Sequence, residues 1–386
     1  MNILVTCSYW YYADFSYSFI HAQAKAYAAA GQRVRVLIPL PLGSRRLPEG
    51  AVQTVPGVHR LEWDGVEIDY VTALSLSNFG NRRAGRYSLN DRAAMAAFRR
   101  LLPVLTRDFQ PDVVHAHTLG YGSEVGAWLS QRLGCPLVVT THGGDMLERY
   151  REKKYEDILR QTRLCPHIVC VSSSLKECLQ EIGVDTDLRI ILNGFHTGNV
   201  CRTEEKRPCA IVQVGNLIER KKADITVRAF ARLRETYPDM TLTEVGEGPL
   251  RPQLETLRTE LRLGDSMILT GRLPNSQAMA EMAKAQFFCM PSVREGFGIV
   301  YAEAMASGCI TIGTEGEGVA DVIRSGENGF LVPPDDPDAI GAVISWCLSH
   351  PAEAAAIARR GRETAMGLTW AHNAAQYIQL FKELQT

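Results

Sequence analysis

Residues 291–308, Pro-Ser-Val-Arg-Glu-Gly-Phe-Gly-Ile-Val-Tyr-Ala-Glu-Ala-Met-Ala-Ser-Gly, set two carboxylates, Glu295 and Glu303, around a glycine-containing turn that opens a helix. The preceding Ala-Gln-Phe-Phe-Cys-Met (285–290) reads as a buried strand. Glu295 then falls at a strand's carboxyl end and Glu303 inside the following helix, where parallel α/β sheets place their ligands. Gly296 and Gly298 let backbone N–H groups approach a ligand closely, and the helix N-terminus favours an anion such as phosphate. With a rise of about 1.5 Å per residue, Glu303 lies little more than a turn into the helix, within reach of a hydroxyl beside that phosphate, while Glu295 reaches one beyond it. The pattern suits a sugar nucleotide. A capped helix with an incidental acid pair is the alternative.

At 386 residues the chain is too long for one ordinary core and suits two domains. The net charge of −1 asks for no nucleic-acid partner. Ten cysteines are scattered without a Cys-x-x-Cys pair, several inside apolar runs, which is the usage of a reduced, cytoplasmic protein. The first residues lack a basic segment followed by a long apolar one, and no stretch reaches about 18 uninterrupted apolar residues. Strand-length apolar runs alternate with helical patterns throughout, which predicts a doubly wound parallel sheet twice over. The first-half strands are expected at 2–7, 33–38, 112–115, 137–141, 167–171 and 189–192. Those of the second half are expected at 210–214, 241–245, 266–270, 287–290, 311–314 and 329–332. The polar stretch 193–208 between them reads as a hinge. The tail 368–384 is amphipathic, with Trp370, Tyr377 and Phe381 at helical spacings.

The 291–308 segment, with its Pro-Ser lead and Glu-Ala-Met-Ala-x-Gly tail, closely resembles the Glu-x7-Glu motif of retaining glycosyltransferases of family 4 (glycosyltransferase group 1). The resemblance implies the GT-B fold: two Rossmann-like, doubly wound parallel-sheet domains facing a cleft. The acceptor-side domain would span 1–195 and the donor-nucleotide domain 196–366, with a helix in 367–386 crossing back to the first. By the same resemblance Glu295 would contact the transferred sugar, the backbone of Gly296, Phe297, Gly298, Ile299 and Val300 the diphosphate and sugar, and Glu303 the ribose. Residues 214–224, Val-Gly-Asn-Leu-Ile-Glu-Arg-Lys-Lys-Ala-Asp, look like the family's Gly-Arg-Leu-x-x-x-Lys-Gly turn, whose two cations hold the donor diphosphate. Lys221 takes the lysine position, to offset charge on the leaving phosphate. Asn216 replaces the usual arginine, a departure that Arg220 or a first-domain residue would have to compensate; a solvated basic cluster is the alternative. Gly246, in Gly-Glu-Gly-Pro-Leu, and Arg272 and Leu273, in Thr-Gly-Arg-Leu-Pro, match turns that frame the nucleobase. Residues 314–323 and 327–333 match the family's closing pattern and are expected to shape the sheet.

In the first half, 111–118 and 136–145 read as strands ending in histidines. His142, in Thr-His-Gly-Gly, resembles the family histidine that faces the transferred sugar, and Gly143 beside it permits close approach. His117 and Gly143 are candidate acceptor contacts; for His115 and His117 a capping or core role is the alternative. A metal on His115, His117 and His142 is not expected, since no carboxylate completes a ligand set. Where many family members carry a Gly-Gly loop, this chain has an aromatic run in which Asp14, Phe15, Ser16 and Tyr17 suit stacking on an acceptor sugar or packing in an interdomain cleft. Residues 82–107 hold seven arginines against one acid, a face for anionic membrane or an acceptor phosphate, or a solvated helix.

The function expected from this resemblance is a retaining transfer of a hexose or related sugar from a UDP- or GDP-activated donor onto a hydroxyl of a glycan, lipid-linked or small-molecule acceptor. His142, Glu295 and Lys221 would form the catalytic group. No Asp-x-Asp pair stands in a metal-binding setting, so no cofactor is required, and front-face attack assisted by the leaving phosphate is the expected course. The protein would be cytoplasmic, with peripheral membrane contact an option. A sugar-nucleotide epimerase or hydrolase, or a non-catalytic sugar-nucleotide binder, would use the same fold.

Overall fold

The computed structural model describes residues 1–7, 19–41, 57–73, 89–200 and 206–385. They divide into two compact units, one comprising Met1–Val171, Leu175–Leu192 and Trp370–Thr386, the other Ser172–Ser174 and Asn193–Thr369. No single helix among the described residues is long and apolar enough to cross a membrane.

The first unit is built on β1 (Asn2–Thr6), β2 (Arg33–Pro41), β3 (Val58–Trp63), β4 (Val66–Ala73), β5 (Val113–His117), β6 (Leu137–Thr141), β7 (His167–Cys170) and β8 (Asp187–Ile190). Their order is β3-β4-β2-β1-β5-β6-β7-β8, parallel except for β3 against β4. The chain winds outward from β1 through β2, then returns to lay β5 on β1's other side. With right-handed crossovers, that reversal puts successive helices on opposite faces and opens a crevice between the carboxyl ends of β1 and β5. The terminal helix Trp370–Glu383 buries Tyr377 and Phe381 completely in this unit's core, beside Tyr27 of helix Phe19–Ala29. Gln23 Nε2 donates to Asn373 Oδ1 at 2.7 Å, and Asn373 Nδ2 donates to the Leu192 carbonyl at 2.7 Å, so the buried Asn373 amide anchors the first turn of the helix.

The strands expected from apolar runs do not include β3 and β4. Their hairpin turns on Asp64-Gly65, both left-handed at φ 54° and 75°, which is the demand of a two-residue type I′ turn. The two strands carry charge where an apolar run would stand, and that charge is paired: Arg60 Nε donates to Asp69 Oδ1 at 2.6 Å, and Arg35 Nε to Glu67 Oε2 at 2.8 Å. The boundaries of β5 and β8 also shift, from 112–115 to Val113–His117 and from 189–192 to Asp187–Ile190.

The second unit has six parallel strands, β9 (Arg207–Val214), β10 (Thr241–Val245), β11 (Met267–Gly271), β12 (Ala285–Cys289), β13 (Ile310–Thr314) and β14 (Phe330–Val332), in the order β11-β10-β9-β12-β13-β14. Winding again reverses, here between β9 and β12. The segments leaving the ends of those two strands are 215–222 and 290–298, the stretches that hold Lys221 and Glu295.

Candidate active site

The loop from Met290 to Gly298 is pinned from below. Tyr301, fully buried, donates its hydroxyl to the Met290 carbonyl at 2.6 Å and bonds Ser292 Oγ at 2.6 Å. Gly298 has φ +73° and caps helix Ile299–Ala306; a Cβ there would lie 2.6 Å from the Tyr301 ring and 3.2 Å from Glu295 Cγ. Glu295 is thereby held on a turn that has no room to adjust. Its carboxylate forms an ion pair with Lys221 Nζ through Oε2, both side chains about nine-tenths buried at 11% exposure. Arg220 Nη1 stands 4.0 Å from the other oxygen, Oε1. The structure thus brings together three residues singled out from two separate segments, and Arg220 supplies a second cation where Asn216, exposed, does not.

Two partners of this group are not among the candidate site residues read from the sequence. Glu317 Oε1 and Oε2 accept the backbone N–H groups of Arg294 and Glu295, each at 2.8 Å, although burial pushes its carboxyl up from the ordinary range. Residues 314–323 therefore do more than shape the sheet: they grip the turn that carries Glu295. Asn275 Nδ2 donates to Glu303 Oε1 at 3.3 Å, and burial raises the Glu303 carboxyl against that bond. Gly246, at the end of β10, lies against the 215–216 backbone, its N–H donating to the Gly271 carbonyl at 3.0 Å. Arg272 and Leu273 follow β11, two strands further out than β9 in the sheet.

In the first unit, His115 and His117 sit on regular β5 with ring centroids 4.3 Å apart. His115 is a core residue, one nitrogen on Tyr27 Oη at 3.2 Å and the other on Thr140 Oγ1 at 2.8 Å. His117 Nδ1 meets His142 Nε2 at 3.0 Å, the two rings stacked. Burial lowers both His115 and His142 to about 3 and His117 well below its usual value, so all three are neutral imidazoles near pH 7. His117 Nε2 and His142 Nδ1 are shielded and find no hydrogen-bond partner among the described residues. A carboxylate, Asp145, lies beside the pair and accepts the backbone N–H of His142 at 3.2 Å. It also accepts Leu119 N–H at 2.6 Å and Thr141 Oγ1–H at 2.9 Å. Its oxygens are therefore committed to holding the His142 turn, and among the described residues no group of three His, Cys, Asp or Glu could hold a metal. Gly143, φ +90°, accepts from the Met146 and Leu147 N–H groups. Asp14, Phe15, Ser16 and Tyr17 lie outside the described residues, as do Arg82, Arg83 and Arg86; Arg92, Arg99, Arg100 and Arg107 are exposed.

Comparison with known proteins gives the family and the fold. A family model described as Glycosyltransferase Family 4 matches residues 18–199, and one described as Glycosyl transferases group 1 matches 202–364. A glycogen synthase of Mycobacterium tuberculosis is 27% identical over 363 residues, covering 89% of this chain and 84% of the relative. A GDP-mannose-dependent alpha-(1-6)-phosphatidylinositol monomannoside mannosyltransferase of Mycolicibacterium smegmatis is 31% identical over 178 residues, 44% of this chain and 47% of its own. Among solved structures, Anabaena HepE in complex with UDP and glucose superposes with a TM-score of 0.72 at 20% identity over 99% of both chains, which establishes the shared GT-B fold.

Proposed function

For a chain that belongs to the family 4, group 1 glycosyltransferases, we propose a retaining transfer of a hexose or related sugar from a UDP- or GDP-sugar to a hydroxyl of a glycan, lipid-linked or small-molecule acceptor. One observation carries the reading: a lysine and a glutamate from the segments that follow the two strands flanking the winding reversal meet as a nearly buried ion pair, with a second cation alongside. Such a pair is a preformed exchange site. An arriving diphosphate offers Lys221 more negative charge than one carboxylate does, so Lys221 and Arg220 turn to the phosphates and Glu295 is freed to accept hydrogen bonds from sugar hydroxyls. Glu303 takes the ribose hydroxyls. As the sugar–phosphate bond breaks, Lys221 offsets the charge on the leaving diphosphate. The acceptor hydroxyl attacks from the same face, its proton passing to the leaving phosphate. His142, neutral and with Nδ1 unpartnered among the described residues, offers that nitrogen to the transferred sugar, while His117 and Asp145 set the ring and its turn. The complexes of HepE with UDP and glucose and the lipid acceptor named for the mycobacterial mannosyltransferase support this choice of substrate classes. The nine described cysteines are all free, in keeping with a cytoplasmic setting.

Separating the two carboxylates tests the assignment. Glu303→Gln is expected to weaken UDP or GDP binding about 10- to 100-fold, the loss of a charge-assisted hydrogen bond. Wild-type nucleotide binding should likewise weaken as the pH falls through the raised Glu303 range, since only the ionised form accepts both hydroxyls. Glu295→Gln is expected to bind free nucleotide as well as wild type or better, because Lys221 loses its competitor, yet to turn over far more slowly. Calorimetry with UDP and GDP decides; equal losses of binding in both variants would contradict the division of roles.

A further inference from the structure

Glu244 lies in β10 with no exposed surface, and neither carboxylate oxygen meets a hydrogen-bond donor among the described residues. Its register partner on β9 is Gln213, and paired residues on adjacent parallel strands project to the same face. That face is the apolar core beneath helix Ala223–Thr236, shared by Ile211, Leu242, Phe287 and Cys289. Gln213 uses its Nε2 to donate to the Lys221 carbonyl at 2.9 Å, while its Oε1 is buried and likewise without a donor. These three shielded oxygens on neighbouring strands have no donor among the described residues; a proton on Glu244 removes its charge and turns one of them into a donor for Gln213 Oε1, so that a single neutral carbonyl oxygen is left unpaired.

We propose that Glu244 is a neutral carboxylic acid whose hydroxyl donates to Gln213 Oε1, and that this bond locks the amide orientation in which Gln213 holds Lys221. Glu244 is then a positioning residue for the Lys221–Glu295 pair, an inference that rests on the function proposed above. The device is binary. A neutral Glu244 presents a donor, so Gln213 turns its oxygen inward and its NH2 to Lys221. An ionised Glu244 presents acceptors only, which would draw the NH2 inward and release the Lys221 carbonyl. Burial alone raises Glu244 well above the ordinary carboxyl range. The titratable group facing it from β12 is Cys289, whose thiol is itself pushed up to about 12 and is neutral; Thr226, from the overlying helix, donates to that sulfur at 3.8 Å and does not titrate.

Three measurements on the full chain test this. Infrared difference spectra of wild type minus Glu244→Gln near pH 7 should show an acid carbonyl band that the variant lacks; carboxylate bands in its place would overturn the proposal. In Glu244→Gln the amide can donate to Gln213 Oε1, so UDP binding by calorimetry and the donor KM should stay within about two-fold of wild type, whereas Glu244→Leu should weaken UDP binding about five-fold, the loss of one neutral hydrogen bond. Glu244→Leu binding UDP as wild type does would also overturn it. Should that variant fail to fold, Gln213→Met removes both bonds and is expected to weaken UDP binding at least as much; unchanged binding there has the same negative force. Finally, an acid whose folded pKa is raised contributes stability fully below its unfolded value, about 4.3, and loses it as pH climbs toward the folded value. Wild type should therefore lose stability relative to Glu244→Gln over that climb, and parallel pH profiles would overturn the proposal. Lys221→Ala separates the premise from the inference: if it binds UDP normally, the functional reading fails while the infrared band still reports the state of Glu244.

Discussion

Lys221→Ala is expected to weaken UDP or GDP binding by about 1.5 to 3 kcal/mol, roughly 10- to 150-fold, and to reduce turnover by a further factor of about 10² to 10³. Two separate losses combine in this variant. The diphosphate loses a buried cation for which Arg220 substitutes only in part, standing 4.0 Å from Glu295 on the flank. Glu295, 11% exposed, also loses its nearer ion-pair partner and keeps only the more distant Arg220 against its charge at the sugar-binding position. The double variant Lys221→Ala with Glu295→Gln should therefore bind nucleotide better than Lys221→Ala alone, because it removes that charge. Calorimetry on the four proteins of the cycle measures the coupling. Unchanged nucleotide binding in Lys221→Ala would remove the lysine from the phosphate site.

Gly246→Ala is expected to be the most damaging single methyl in the second unit, about 3 kcal/mol or more against stability. The added Cβ would sit 1.8 Å from the Gly215 carbonyl oxygen, at φ +152°, a conformation that side chains rarely adopt. The strain cannot be relieved locally, because the Gly215 N–H donates to the Val245 carbonyl at 2.9 Å and the 215–216 backbone opens the turn that ends at Lys221. Thermal unfolding should fall by several degrees, and whatever protein folds should have lost nucleotide affinity along with Lys221's placement. Gly264→Ala is the comparison: it too has positive φ, but at +52°, in the left-handed region that costs a side chain less, and a Cβ there meets nothing within 4 Å. An effect of Gly246→Ala no larger than that of Gly264→Ala would contradict the prediction.

Legibility in the sequence follows from which interactions are local. The strand, glycine turn and helix of 285–306 are specified within a short window, so the positions of Glu295 and Glu303 follow from the local pattern alone. Lys221 is legible through a resemblance between turns; its ion pair with Glu295, 74 residues away, depends on strand order, which no window contains. The β3–β4 hairpin stays hidden although Asp64-Gly65 announces it, because Arg60, Glu67 and Asp69 mask the apolar alternation while pairing with one another and with Arg35. Glu244 breaks a visible rule: in Thr-Leu-Thr-Glu-Val it falls on the face of Leu242, the buried one. That signal acquires meaning only once β10 is known to lie between β9 and β11, covered on that face. Glu317 and Asp145 are out of reach for the same reason, since each binds backbone groups of a loop that the fold, not the sequence spacing, brings to it.

The measurement closest to the central claim is nucleotide release from a panel of UDP- and GDP-sugars, with and without glycan and lipid-linked acceptors, followed by proton NMR of the product's anomeric centre. A retaining transferase releases UDP or GDP rapidly only when an acceptor is present and leaves the anomeric configuration of the donor unchanged. Release at the same rate without acceptor would make the protein a hydrolase or, if the sugar is altered at another carbon, an epimerase. Transfer with inverted configuration would contradict the same-face mechanism.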